Sequence, residues 1–375
     1  MHIGIDISAI PYHRGVSRYT ANLVRSLSQR KDISLTLYGS SFRQKRELWR
    51  FIQTSHLEHL TTRLQSFPPT ALSWLWFLGF NPIKKLLPQI EVFHSWDWLQ
   101  PPDKNLPLVS TIHDLAMLKF PETAHPKILK MHQQAWKVLK KRGAEIIAVS
   151  RATKRDIVEL LEIPPTKVHV IYEALPQETV DTAESLTDDE HEQIKQRLKL
   201  SKPFILFVGT REPRKNLQRL IKAWEQLADK YQLVIAGATG WDKTGRSSQS
   251  PHKNLRFLGK VTDKELVVLY SEAEVLAYPS LYEGFGLPIL EAFYFGCPVV
   301  TSNVSAMPEV AGNAAELVDP LSIASIRQGL MTVLNESEFN QKQRMQKMII
   351  RLHLFNWKKV AEETVEVYRK AVASH

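Results

Sequence analysis

The chain has 375 residues, beyond the size at which one hydrophobic core usually stops growing, so two domains of comparable size are expected. It is 43% apolar and 23% charged with 15 glycines, which excludes fibrous, low-complexity and largely disordered classes. The formal net charge is +10, and residues 1–178 hold nearly all of it, with 24 Lys and Arg against 15 Asp and Glu. Charge alone leaves nucleic acid, an anionic membrane surface and a phosphate-bearing substrate open as partners.

Cys297, the single cysteine, excludes an intramolecular disulfide framework and a cysteine-built zinc site. With no signal-peptide core in MHIGIDISAIPYHRG, a cytoplasmic location is expected. The longest apolar stretch, 71–80 (ALSWLWFLGF), is about half the roughly 20 residues that span a bilayer, so contact with a membrane is open but crossing is not expected.

In chain order, short β-branched runs fall at 3–7, 108–112, 146–149, 168–171, 204–208, 233–236, 275–278 and 298–301, with segments of helical period between them. Runs apolar on both faces that alternate with helices predict parallel sheets covered on both sides, an α/β chain of two doubly wound units. After the first run, HRGVSRY places Gly15 where a strand-to-helix loop opens, but the segment lacks G-x-G-x-x-G and fails as a dinucleotide fingerprint. Residues 71–80, with Trp74, Trp76 and Phe77 before Lys84 and Lys85, read equally as an interfacial element or a buried helix with a basic flank. The same two readings apply to 127–142, where Trp136 stands among lysines. Between them, Thr111, His113 and Asp114 close the run VSTIHD, and a histidine at a strand's carboxyl end is as readily polar and functional as structural.

The domain boundary is expected near 176–186, giving domains 1–178 and 179–356 and a final helix from 357. Thr187 and Glu190 form a capping-box pattern, so Asp188, Asp189, Glu190 and His191 are expected as a solvated first helical turn rather than metal ligands. GTREPRKNL then follows the run at 204–208, and Arg211, Arg214 and Lys215 cluster where a doubly wound sheet has its ligand edge. Fixed cations there would neutralise a diphosphate, with Lys215 the strongest candidate.

The most informative stretch is YPSLYEGFGLPILEAFYFGCPVVT, from Tyr278 to Thr301. A loop carrying Glu283, Gly284, Phe285 and Gly286 feeds a helix with Pro288 at its first position and Gly296 as its stop. Such a loop presents backbone N–H groups and a positive dipole end, an anion site suited to phosphate. Glu283 in the loop and Glu291 in the first helical turn suit the hydroxyls of a nucleotide sugar. Residues 357–373 place Trp357, Val360, Ala361, Thr364, Val365 and Tyr368 on one stripe, a helix that docks rather than a loose tail.

These segments resemble the retaining family 4 glycosyltransferases of the GT-B fold, the bacterial polysaccharide and O-antigen type, across essentially the whole chain. The resemblance rests on YPSLYEGFGLPILEAFYFGCPVVTSN, AMPEVAGNAAELVDP, FVGTREPRKNLQRLI, STIHDL, AVSRATKRDI and FNWKKVAEETVEVYRKA. It implies an acceptor-binding first domain, a donor-binding second domain and a final helix crossing back to the first, with the ligand in the cleft between domains. Glu283 would contact the donor sugar, the amides around Phe285, Gly286 and Leu287 the diphosphate, and Glu291 the ribose. Lys215 matches the phosphate-binding lysine. Thr210 stands where the family has an arginine, so Arg211 or Arg214 would substitute. Gly15 matches the second glycine of the N-terminal loop, with Arg14 in place of the first, and His113 a histidine near the transferred sugar. Lys260, after Gly259, falls where backbone groups would read the base.

The implied reaction is metal-independent front-face transfer of a hexose from UDP-glucose or GDP-mannose to a saccharide or lipid-linked saccharide, with no cofactor beyond the nucleotide sugar. A non-catalytic nucleotide- or sugar-binding protein is the alternative, distinguished by release of nucleoside diphosphate with acceptor present. Nucleic acid is not expected as a partner, because the aromatics lie in apolar helical stretches rather than among Arg and Lys on a strand face. The surplus charge of the first half points to a polyanionic, diphosphate-linked or membrane-borne acceptor.

Overall fold

The computed structural model describes residues 1–12, 15–200, 202–240 and 252–375. They form two compact units, Met1–Pro176 with Asn356–His375, and Gln177–Phe355. Residues 177–185, inside the stretch expected to join the domains, are helical.

Among the described residues the first unit holds seven strands: β1 (His2–Asp6), β2 (Ser34–Ser40), β3 (Thr61–Gln65), β4 (Val92–Trp96), β5 (Leu108–Ile112), β6 (Glu145–Ala148) and β7 (Val168–Val170). Every pair is parallel, in the order β3-β2-β1-β4-β5-β6-β7. The second unit holds six: β8 (Phe204–Val208), β9 (Gln232–Ala236), β10 (Leu255–Gly259), β11 (Val275–Tyr278), β12 (Val299–Ser302) and β13 (Glu316–Val318). These are also parallel, in the order β10-β9-β8-β11-β12-β13. Each sheet therefore has one point where the strand order reverses, between β1 and β4 and between β8 and β11, and loops leaving such neighbours diverge to form a crevice.

Five strands escape the run of apolar residues that marks the others. β3 and β10 are outer strands and mix polar with apolar residues, and β13 has only three residues. β2 interleaves Ser, Thr and Gly with its leucines. β4 (VFHSW) is fully buried despite His94 and Ser95, because tertiary hydrogen bonds satisfy both. His94 Nδ1 lies 2.7 Å from Tyr368 Oη and Nε2 2.9 Å from Thr111 Oγ1, while Ser95 Oγ donates to Gln100 Oε1 at 2.5 Å. Burial, reinforced by His113, pushes His94 down to about 3, so the buried ring is neutral.

The helix Trp357–Ala373 buries Val360, Ala361, Thr364, Val365, Val367, Tyr368 and Ala371 in the first unit, packing beside β4, β5, β6 and the helix Gly15–Ser28. Trp357 Nε1 donates to the Leu175 carbonyl oxygen at 2.8 Å. The 187–190 capping box forms, with both reciprocal bonds at 3.3 Å. Glu190 also accepts from Lys264 Nζ at 2.6 Å, so its charge has a structural partner. Cys297 is buried, which pushes its thiol up to about 12. Among the described residues no helix is long and apolar enough to cross a membrane.

Candidate active site

Backbone contact at the carboxyl ends of β8 and β9 sets up the second unit's polar site. Gly209 and Gly237 have φ of 150° and 148°, and a Cβ on Gly237 would stand 2.0 Å from the Gly209 carbonyl oxygen. Only glycine fits there. The chain then turns through Pro213–Lys215 to Asn216, in the left-handed region at φ 60°. Asn216 Nδ2 donates to the carbonyl oxygens of Pro279 at 2.9 Å and Pro320 at 2.6 Å, and the Leu281 N–H donates to Arg214 O at 2.7 Å. These bonds bolt the turn after β8 to the loop after β11, across the switch point.

Four charged side chains meet there, Glu212, Arg214, Lys215 and Glu283. Lys215 Nζ donates to Glu283 Oε1 at 2.6 Å and to Tyr278 Oη at 3.0 Å. Arg214 Nη1 donates to Glu283 Oε2 at 2.9 Å and to the Tyr282 carbonyl oxygen at 3.2 Å, and its Nε to Glu212 Oε2 at 2.8 Å. Ser305, itself in the left-handed region at φ 58°, braces the carboxylate's backbone: its Oγ donates to Glu283 O at 2.7 Å and accepts from the Glu283 N–H at 3.2 Å. Burial favours a neutral Glu283, but the adjoining Lys215 and Arg214 cations outweigh it and hold the carboxyl down to about 2. Lys215 is drawn below the ordinary lysine value by burial, against the pull of Glu283. Counting the more exposed Glu212 on Arg214, the group balances two cations with two carboxylates, so what it offers a ligand is the N–H donors of Lys215 and Arg214 rather than a net charge.

The helix Leu287–Tyr294 begins directly beyond it, with Gly286 at its N-cap at φ 111°. Pro288 is the second rather than the first helical residue, since Gly286 in the left-handed region shifts the cap by one. The Phe285 ring is turned inward, edge-on to Phe355 at 5.7 Å, so what this residue offers a ligand is backbone. At the far end Gly296, at φ 70°, donates to Phe293 O at 3.1 Å and Cys297 N–H to Ala292 O at 2.9 Å, the paired bonds of a glycine stop. Glu291 lies in the second turn, not the first, and is buried. It accepts from Tyr270 Oη at 2.8 Å, and burial together with this carboxylate drives the Tyr270 pKa well up.

The first unit's switch point carries different chemistry. Asp6, at the end of β1, is buried and accepts from the Ser8 N–H at 2.8 Å. Burial pushes it up to about 6 against the Ser8 hydrogen bonds. Trp96, at the end of β4, donates through Nε1 to the Asp6 carbonyl oxygen at 2.7 Å. Next to it, after β5, His113 Nδ1 lies 2.9 Å from Glu173 Oε1. Tyr19 meets the His113 ring edge-on at 4.7 Å and Trp96 stacks on it at 6.3 Å. The bond from Nδ1 fixes the tautomer, and His113 Nε2 is buried without a hydrogen-bond partner among the described residues. Burial lowers the His113 pKa, but Glu173, then Asp97 and Asp114, outweigh it and leave it raised. Asp97 also stands 3.5 Å from His132 Nδ1.

The two halves match two known families in order. Residues 13–178 match the family described as Glycosyltransferase Family 4, and residues 188–349 that described as Glycosyl transferases group 1. Over 276 residues the chain is 30% identical to the O-antigen chain mannosyltransferase B of Escherichia coli, covering 70% of each protein. The chain belongs to the family 4 glycosyltransferases. Its fold is similar to that of a glycosyltransferase from Rickettsia africae, with a TM-score of 0.74 at 16% identity over 99% of this chain and 98% of that one. It is similar also to Anabaena HepE in complex with UDP and glucose, with a TM-score of 0.69 at 16% identity over 99% and 100%.

In this glycosyltransferase the residues singled out from sequence separate into groups. Arg214, Lys215 and Glu283 come together directly, beside the Gly284, Phe285, Gly286 and Leu287 backbone. Arg211 does not join them; its guanidinium lies over the Phe257 ring at 5.1 Å. Gly259 ends β10, where its carbonyl oxygen accepts from the Gly237 N–H at 2.7 Å, and Lys260 after it is exposed. Gly15 opens the helix Gly15–Ser28, with nothing within 4 Å of where a Cβ would stand. Arg14 and His13 lie outside the described residues. Tyr278, Asn216, Gly237, Ser305 and Glu173 were not foreseen, because each acts through a partner distant in sequence: 63 residues for Tyr278 and Lys215, 60 for Glu173 and His113.

Proposed function

We propose that the protein is a retaining, metal-independent hexosyltransferase that moves a sugar from a nucleoside-diphosphate donor to a saccharide or lipid-linked saccharide in cell-surface polysaccharide synthesis. The observation that carries this reading is the Arg214–Lys215–Glu283 cluster at the β8/β11 switch point, set beside the helix start at Gly286. Lysine has three N–H donors, and among the described residues the bonds to Glu283 and Tyr278 use two, leaving a third for a phosphate oxygen. Arg214 takes the role of the family arginine replaced by Thr210. The Phe285–Leu287 backbone and the helix dipole add to the same anion site.

In the reaction an acceptor hydroxyl oxygen bonds to C1 of the sugar on the face the diphosphate leaves. The C1–O bond to phosphate breaks, and the hydroxyl proton passes to the departing phosphate oxygen. Charge grows on the diphosphate, so Lys215, Arg214 and the helix amides act where stabilisation is worth most. Glu283 orients sugar hydroxyls and Glu291 the ribose. His113, oriented by Glu173, offers Nε2 to a substrate hydroxyl, and Gly15 lets backbone approach substrate. The named activity of the E. coli relative, nearer in sequence than HepE, supports GDP-mannose over UDP-glucose as donor.

The test is thermal stabilisation across GDP, UDP, GDP-mannose and UDP-glucose with a chelator present. A donor at a hundred times its Kd raises stability by about 2.7 kcal/mol. GDP and GDP-mannose should give the largest shift, and GDP release should require acceptor. No shift with any of the four would overturn the reading.

A further inference from the structure

The first unit carries an apolar surface that neither its core nor the proposed chemistry uses. The helix Pro69–Phe77 is apolar on two sides. On one, Leu72 and Trp76 are buried, with Trp76 stacked on Tyr38 at 6.1 Å and its Nε1 donating to the Asn81 carbonyl oxygen at 3.1 Å. On the other, Trp74 is 70% exposed, Phe77 83% and Leu78 50%, and Phe80 follows at 61%. Their spacing of three and four puts Trp74, Phe77 and Leu78 on one helical face. A helix apolar all round belongs in a core or against lipid, and this one is half in a core.

The mount is firm. Gln65 Nε2 donates to Asn81 Oδ1 at 3.1 Å and Asn81 Nδ2 returns a bond to Gln65 Oε1 at 2.8 Å, closing residues 66–80 at their base. Tyr38 Oη donates to the same Gln65 oxygen at 2.9 Å. Asp103 accepts from the N–H groups of Ile83 and Lys84, each at 2.7 Å, and fixes the turn that follows.

Charge decides what covers this face. No acidic residue occurs from Arg63 to Ile90, and Lys85 beside the patch is exposed. The adjoining loop after β2, tied to the base by Ser41 N–H to Gln65 O at 3.2 Å and Ser40 Oγ to Phe67 O at 3.0 Å, adds exposed Phe42 and Arg43. Aromatic side chains among uncompensated cations match the apolar boundary beneath anionic headgroups. The other basic segment, Pro126–Lys141, does not: Trp136 and Leu139 are buried in the core, so its lysines lie on an ordinary solvated face.

We infer that residues 66–80 dock the first unit on an anionic bilayer, with Trp74 and Phe77 at headgroup depth and Arg43 and Lys85 against lipid phosphates. The inference does not rest on the donor reading, and vesicle binding reports on it separately from transfer. The full chain should co-sediment with vesicles containing phosphatidylglycerol and much less with phosphatidylcholine alone. The double variant W74S/F77S, and independently R43E/K85E, should each weaken binding about tenfold or more while transfer to a water-soluble acceptor is unchanged. Because R43E/K85E touches only exposed groups, it decides the matter if the aromatic variant fails to fold. Equal sedimentation of the wild type and R43E/K85E overturns the inference. So does a lipid-free wild-type dimer that W74S/F77S converts to monomer, since a second copy would then cover the face.

Discussion

Between β8 and β11 the second unit sets Lys215 and Arg214 around Glu283, with Glu212 on the arginine; between β1 and β4 the first unit sets Asp6, with Asp97 and His113 alongside. The topology is the same and the chemistry differs, with lysine and guanidinium donors in one unit and carboxylates with an imidazole in the other. Overall charge runs the other way: the first unit holds 28 Lys and Arg against 17 Asp and Glu, the second 21 against 22. Net charge therefore says little about the chemistry of either site, because a few side chains at close range set the field at the strand ends. Among the described residues the strand ends of the first unit offer carboxylates and an imidazole, groups suited to hydroxyls.

Breaking the second-unit cluster has the largest expected effect. Lys215→Ala should lower kcat for transfer about 10²–10³-fold, as removal of one preorganised charge donor does, while Arg214 keeps Glu283 paired and the protein folded. Glu283→Ala differs, because it takes from the buried Lys215 its hydrogen-bonded carboxylate and leaves only the more distant Glu212 as counter-charge, a loss of about 3–5 kcal/mol. Glu283→Gln is the sharper probe. Glu283 is held down to about 2, so its contribution to stability is present above the ordinary carboxyl value of 4.5 and is lost as pH falls from there toward 2. Acid unfolding followed by circular dichroism should show this loss in the wild type and a flatter profile in the Gln variant. Equal turnover of the wild type and Lys215→Ala would remove the cluster from the reaction.

The fold was largely legible, the candidate site more so in the second unit than in the first, and the difference is physical. Lys215 and Glu283 sit in short loops that directly follow apolar strand runs, and Gly286 and Pro288 mark the helix start locally. Glu291 was legible as a carboxylate but not its bond to Tyr270, on a separate helix. In the first unit the switch-point strand β4 reads as polar, since the partners that let His94 and Ser95 be buried come from β5, from a following loop and from the C-terminal helix. Arg211 and Arg214 were indistinguishable as a pattern. Only the positions of Phe257 and Glu283 separate them.

A middle-sized effect tests the first unit. Glu173 orients and charges His113, so Glu173→Gln removes the largest raising influence on the imidazole and its pKa should fall. A raised histidine contributes stability that is full below its unfolded value, about 6.5, and is lost as pH rises through the folded value. Melting temperatures of the wild type and variant should therefore differ most under mildly acidic conditions. If His113 acts as imidazolium, the alkaline limb of kcat/KM should move to lower pH in Glu173→Gln, with activity down about 10–100-fold, and Glu173→Asp should restore part of both. An unmoved limb would leave Glu173 a purely structural partner.

The smallest effect separates glycines the fold needs from one a substrate would need. Gly237→Ala would drive a Cβ to 2.0 Å from the Gly209 carbonyl oxygen at φ 148°, so the β8 and β9 loops must part, at about 1–3 kcal/mol. Gly15 has no such constraint: nothing stands within 4 Å of its Cβ position, it opens a helix, and its φ is not among the positive ones. Gly15→Ala should hold or raise the melting temperature, because alanine restricts the unfolded chain, a gain of about 0.4–1 kcal/mol. If the loop backbone approaches a substrate, transfer should still fall, by up to about tenfold, through KM or kcat alike. A Gly15→Ala protein that is as stable as expected and turns over like the wild type would show that neither fold nor chemistry requires glycine there, and would place the first unit's substrate contacts at Asp6, Asp97 and His113 instead.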